Sequence, residues 1–146
     1  MKSIKSAWNY FKNSYYKKTI ILATFYSFIY RVEIKLIKPK KLEKHWGKRD
    51  EQTPLEPISN QDFYTARCIK YAVERTCNHT PWESKCLVRA LTAQKLLKRK
   101  KIASTMYLGC GMENGKMVAH AWIRVSDYYI TGGNGEGYTV VSTFRA

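Results

Sequence analysis

The chain has 146 residues, 45% of them apolar and 14% aromatic, and a formal net charge of +15. That length holds one domain, with or without an appended helical arm, and that much apolar material excludes a disordered chain. The charge is uneven, with 13 basic and 2 acidic side chains in residues 1–49 against 13 and 9 in residues 50–146. Such an excess fits nucleic acid, an anionic membrane surface or an acidic protein or peptide, and a high pI alone does not choose among them.

Residues 1–49 read as a basic, aromatic helical arm. Trp8, Tyr10, Phe11, Tyr15 and Tyr16 run into the apolar segment 20–30 (IILATFYSFIY), and a second helical piece follows Pro39 up to Trp46 and Gly47. The apolar segment is eleven residues long, against the roughly 20 needed to cross a bilayer. Arg31, Glu33 and Lys35 end it and no small-x-small cleavage site follows, so the pattern predicts a buried or interfacial helix rather than a span or a cleaved signal. Residues 50–58, with Pro54 and Pro57, read as a linker, and residues 59–146 as the core domain.

Ser59-Asn60-Gln61-Asp62 is a capping pattern ahead of Phe63, Ala66, Ile69 and Val73 at helical spacing, predicting a helix to about Thr76. Thr80-Pro81-Trp82-Glu83 offers the next cap, with Ser84 as an alternative, for a helix through Leu87, Ala90, Leu91, Gln94 and Leu97 that stops in Lys98-Arg99-Lys100-Lys101. Cys86 then sits in its first or second turn. After Ile102 the period becomes two: a strand from Thr105 to Gly111, a tight turn at Glu113-Asn114-Gly115-Lys116, and an alternating strand from Met117 to Val125. Met117, Ala119, Ala121, Ile123 and Val125 share one face, and Val118, His120, Trp122 and Arg124 the other. A turn at Ser126-Asp127, a short strand 128–131, a glycine-rich loop 132–137 and a strand 138–144 complete an α+β domain of helices followed by an antiparallel sheet.

Cysteines at 68, 77, 86 and 110 form no CxxC pair, which predicts free thiols in a reducing cytoplasm. Cys77, His79 and Cys86 do not have the spacing of a structural zinc site, so neither metal nor cofactor is expected. One cysteine stands out by position: at a helix N-terminus the dipole and unpaired N–H groups favour thiolate, which prepares a nucleophile in Cys86. A thiolate needs a positioned base, and His120, mid-strand between Ala119 and Ala121, is the candidate. Spacing alone leaves the bland alternative open, in which Cys86 fills core and His120 is a satisfied polar residue.

The runs Cys86-Leu87-Val88-Arg89-Ala90-Leu91, Met106-Tyr107-Leu108-Gly109-Cys110-Gly111 and Ala119-His120-Ala121-Trp122-Ile123, in this order and spacing, resemble the transglutaminase-like leader peptidases of lasso-peptide biosynthesis, in particular the stand-alone peptidase subunit of split systems. The resemblance implies a papain- or transglutaminase-like core and a cysteine protease that cuts the leader from a ribosomally made precursor peptide. It implies as partners a small leader-recognition protein and an ATP-dependent lasso cyclase that joins the freed amine to an Asp or Glu side chain. It places the protein in a bacterial cytoplasm, with contact at a membrane surface left open. Carried over, Cys86 is the nucleophile, His120 the general base and then acid, and the Cys86 backbone N–H the first oxyanion donor.

Many members of that family carry an Asp about twelve residues after the histidine, where this chain has Gly132. Asp127 lies at the hairpin turn, roughly 20 Å along the strand from His120. Folding the hairpin back brings 132–134 beside the ring instead, so Asn134 is the candidate orienter, with Thr131 or a backbone carbonyl near the glycines as the other choices. Trp8, Tyr15, Tyr16, Trp82 and Trp122 are the aromatic candidates for contact with substrate or partner. Nucleic acid is not expected, since no recognisable module accompanies the charge.

Overall fold

The structure, a computed structural model, describes residues 15–82 and 84–146. Trp8, Tyr10, Phe11 and Glu83 therefore lie outside the described residues. Helix α1 (Tyr15–Leu36) covers the apolar segment and extends beyond it on both sides. It packs along α3 (Asn60–His79) and α4 (Cys86–Arg99) through small side chains: Thr19, Ala23 and Ser27, one turn apart, are its buried residues. Leu22 and Tyr26 reach into one apolar cluster and Tyr30 and Ile34 into a second. A short helix α2 (Pro39–Leu42), with Pro in its first turn, and a 3₁₀ turn (Glu43–His45) form the second helical piece and bury Leu42 and Trp46.

Helix α3 starts where its cap predicts, with Ser59 Oγ accepting from the Asp62 N–H at 3.1 Å, and it runs three residues past Thr76. The start of α4 differs from the sequence expectation. Thr80 donates its hydroxyl to the Trp82 carbonyl and bonds Ser84 Oγ at 3.2 Å, so these apparent cap residues hold a loop together, and the helix begins only at Cys86 after Lys85. Arg89 braces the same loop through the Ser84 carbonyl and Asn78 Oδ1.

Five strands form one antiparallel sheet in the order β1-β5-β2-β3-β4, with β1 (Lys48–Arg49), β2 (Thr105–Glu113), β3 (Lys116–Val125), β4 (Tyr128–Thr131) and β5 (Thr139–Arg145). The β2–β3 hairpin closes on Asn114 and Gly115, both at positive φ, as a two-residue turn between right-twisted strands requires. One sheet face carries Met106, Ala121, Ile123, Val125 and Phe144, which join Ile69, Val73, Ala90, Leu91, Ala93 and Leu97 of the helices in the core.

The stretch read as a linker is instead bonded across the other sheet face. Arg124 is buried and donates to the Tyr107 hydroxyl at 3.0 Å, the Thr53 carbonyl at 2.9 Å and the Ser126 carbonyl. Thr53 bonds Thr105 through both its N–H and its hydroxyl, Tyr107 donates to Gln52, and Ser126 donates to the Glu56 carbonyl. With β1 paired to β5 as well, the boundary at 50–58 marks a change in charge and composition and not a break in packing.

Candidate active site

Cys86 is the first residue of α4, half-buried, and packs with Leu87 against the cluster that contains Ala90, Leu91 and Ala121. The Arg89 N–H bonds back to the Lys85 carbonyl and opens the helical ladder. The N-cap residue, Lys85, makes no capping bond with its side chain, and the N–H groups of Cys86 and Leu87 precede the ladder at the helix's positive end. Cys68 and Cys77, by contrast, are buried. Burial pushes the Cys68 thiol up from its ordinary value near 9 to about 11, and it raises Cys77 as well, against the opposing pull of Arg89. Among the described residues no three His, Cys, Asp or Glu side chains gather into a metal-binding group.

His120 sits on β3 with Gly109 as its direct partner on β2. Its Nε2 lies 2.6 Å from the Gly132 carbonyl oxygen. A carbonyl only accepts, so Nε2 carries the hydrogen and the neutral ring keeps its lone pair on Nδ1. The ring stacks on Tyr138 at 4.5 Å between centroids and on Trp122 at 5.8 Å, and Trp122 in turn stacks on Tyr107 at 5.4 Å with planes 9° apart. Glycines make room for these rings. A Cβ at Gly109 would come within 2.8 Å of the Trp122 ring and one at Gly111 within 2.9 Å of Tyr138.

Gly132 itself has φ +76°, and a Cβ there would overlap the Ala121 carbonyl, so this position is shaped to present main chain. Asn134 does not make the contact with His120: its Oδ1 accepts from the Glu136 N–H at 3.0 Å and closes the local turn. The hydrogen bond that His120 makes is to main chain, at Gly132.

The thiol of Cys86 and the ring of His120 are not hydrogen-bonded to each other in the free chain, although each is held in place by its own element. β3 turns Ala121, Ile123 and Val125 toward the helices and His120, Trp122 and Arg124 the other way. Trp122 is buried in the aromatic stack, so it serves as a wall of the histidine's setting and offers no surface to a partner. Trp82, half-exposed, packs edge-on against Phe28 at 5.3 Å and donates its indole N–H to Ser27 Oγ, tying the loop before Cys86 to α1. Tyr15 and Tyr16 are half-buried at the start of α1, with the Lys100 ammonium 4.5 Å over the Tyr15 ring. Sequence reasoning missed Tyr138 and Arg124. The Gly109-Cys110-Gly111 spacing within a strand was the available signal for the former, since glycine there marks close approach of another group.

A family model for the transglutaminase-like superfamily matches residues 34–143, which include Cys86, His120 and Gly132. The chain belongs to the transglutaminase-like superfamily. No curated protein and no solved structure matches it. The transglutaminase-like domain begins within α1 and spans α3, α4 and the sheet, so Cys86 and His120 both fall inside it. The superfamily includes cysteine peptidases and acyltransferases, chemistries that share a thiol nucleophile and an acyl-enzyme.

Proposed function

We propose that this protein is a cysteine peptidase that removes the leader from a ribosomally synthesised lasso-peptide precursor. The observation that carries the reading is a thiol on the first residue of a helix, inside a transglutaminase-like domain that also holds an imidazole fixed through Nε2 to a main-chain carbonyl. With Nε2–H given to Gly132, Nδ1 is the basic nitrogen. In the proposed cycle His120 Nδ1 takes the Cys86 proton as Sγ adds to the scissile carbonyl, and the Cys86 N–H receives the oxyanion. Collapse breaks the C–N bond, and the departing amine of the core takes the proton back from Nδ1. Water then adds to the thioester with His120 again as base, releasing the leader carboxylate and restoring the thiol. In the free chain Cys86 packs on the helix side of the sheet and His120 lies on the opposite face, so this cycle requires the edge of the sheet around His120 to rearrange as the peptide seats, and that movement is part of the proposal.

In this scheme a small leader-recognition protein delivers the precursor, a lasso cyclase consumes the freed amine, and the work takes place in a bacterial cytoplasm. One observation favours a second reading, a catalytically silent docking module of the same complex: the thiol and the ring are unbonded, and a carbonyl stands where a carboxylate would support the imidazolium. Mass spectrometry of a lasso precursor incubated with this protein and its leader-recognition partner separates the two. Released leader and core with the wild type, and none with Cys86→Ala or His120→Ala, are expected. Bound but intact precursor under every partner condition would favour the docking module, and normal cleavage by Cys86→Ala would end the mechanism.

A further inference from the structure

Helix α1 is built inside out for a core helix. Its fully buried positions are the small Thr19, Ala23 and Ser27, while four of its large apolar side chains face solvent: Ile21 is 69% exposed, Phe25 56%, Phe28 48% and Leu36 79%. Steps of four, three and eight residues put these four along one outward stripe, with Val32 between the last two. The stripe is roughly 22 Å long at 1.5 Å per residue. Exposed lysines stand at both ends, Lys17 and Lys18 before it and Lys35, Lys38, Lys40 and Lys41 around its last residue and beyond. The only carboxylate described on α1, Glu33, is half-buried.

We propose that this face of α1 docks on an anionic phospholipid surface, the helix lying in the plane of the interface. Its shape and rim favour lipid over a protein. A protein partner requires a surface of complementary shape, and lysine is depleted from protein interfaces. A convex apolar ridge rimmed by one sign of charge meets its complement in a fluid, negatively charged bilayer, where rings and branched side chains enter the acyl boundary and lysine ammonium groups stay among the phosphates. No described helix is long and apolar enough to cross a membrane, so the contact is in-plane. Phe28 packs on Trp82, four residues before Cys86, which puts the docked face beside the loop that leads into α4. Docking needs no turnover and holds whether or not Cys86 is a nucleophile.

The test is co-sedimentation of the full chain with vesicles of phosphatidylcholine alone and of phosphatidylcholine mixed with phosphatidylglycerol. Binding to the anionic vesicles and little to the neutral ones is expected. Phe25→Asp, and separately Ile21→Asp, should each cut the bound fraction by about tenfold while circular dichroism stays native. Lys35→Gln with Lys38→Gln should make binding fail at lower salt. Lack of binding to anionic vesicles, or binding that both aspartate variants leave intact, would overturn the proposal. So would a lipid-free dimer, seen by sedimentation velocity, that Phe25→Asp dissolves, because the stripe would then belong to a second copy of the chain.

Discussion

The two faces of the sheet are held by different physics. On the helix side Met106, Ala121, Ile123, Val125 and Phe144 meet α3 and α4 in a contact made almost wholly of apolar area. On the other side the same strands carry His120, Trp122 and Arg124, fixed by ring stacking, glycines and hydrogen bonds to main-chain carbonyls. Apolar area is non-directional and sets how firmly the domain holds together. Directional contacts determine where a ring nitrogen or a guanidinium sits, and the imidazole lies on the directional side.

Substitutions on the two faces should therefore separate stability from positioning. Ile123→Ala, which opens a cavity at a fully buried site, should lose about 4 kcal/mol in urea denaturation. Arg124→Leu keeps volume but strands the Thr53 and Ser126 carbonyls and the Tyr107 hydroxyl. A loss of about 3 kcal/mol is expected, with faster proteolysis in 50–58 than elsewhere as the sign that this segment has come away. Gly132→Ala forces a side chain into a left-handed position against the Ala121 carbonyl and should lose about 2 kcal/mol together with peptide cleavage.

Smaller effects come from titration. Burial favours the protonated Cys68 thiol, held at about 11, and likewise the Tyr30 hydroxyl, pushed up to about 12 by burial first and then by Glu33 and Tyr26. Groups raised in the folded state stabilise it fully below their ordinary values. That contribution is lost as pH climbs, between about 9 and 11 for Cys68. Denaturation midpoints should fall across that range, and less steeply in Cys68→Ala. The smallest change is expected for His120→Gln, within about 0.5 kcal/mol of wild type because the ring is half-exposed, yet with cleavage abolished. A large stability loss in that variant would mean the stack around His120 is structural.

The helix side of this contrast was legible in the sequence, because apolar periodicity alone specifies which side chains of α3, α4 and β3 turn inward. The change from period 3.6 to period two after Ile102 marked the α+β order, and Asn114-Gly115 marked the hairpin. The directional side was only partly legible. Thr80, Pro81 and Ser84 carry cap chemistry that the loop uses for itself, which moved the apparent start of α4 upstream. Pro54 and Pro57 suggested a free linker because the groups that bind 50–58, Arg124 above all, lie about seventy residues away in the chain. The setting of His120 rests on a carbonyl, and a carbonyl belongs to every residue type. What distinguishes Gly132 is its φ, which becomes apparent only when the hairpin is folded back.

Because the oxygen facing His120 is part of the main chain, it has no codon of its own. Alanine scanning through 126–138 would remove Asn134 and Tyr138 but delete no acceptor, reaching this one only through the backbone strain of Gly132→Ala, and a search for an acidic residue at this place would register a missing partner. Backbone ester exchange, which weakens one carbonyl as an acceptor while every side chain stays the same, would reach it directly.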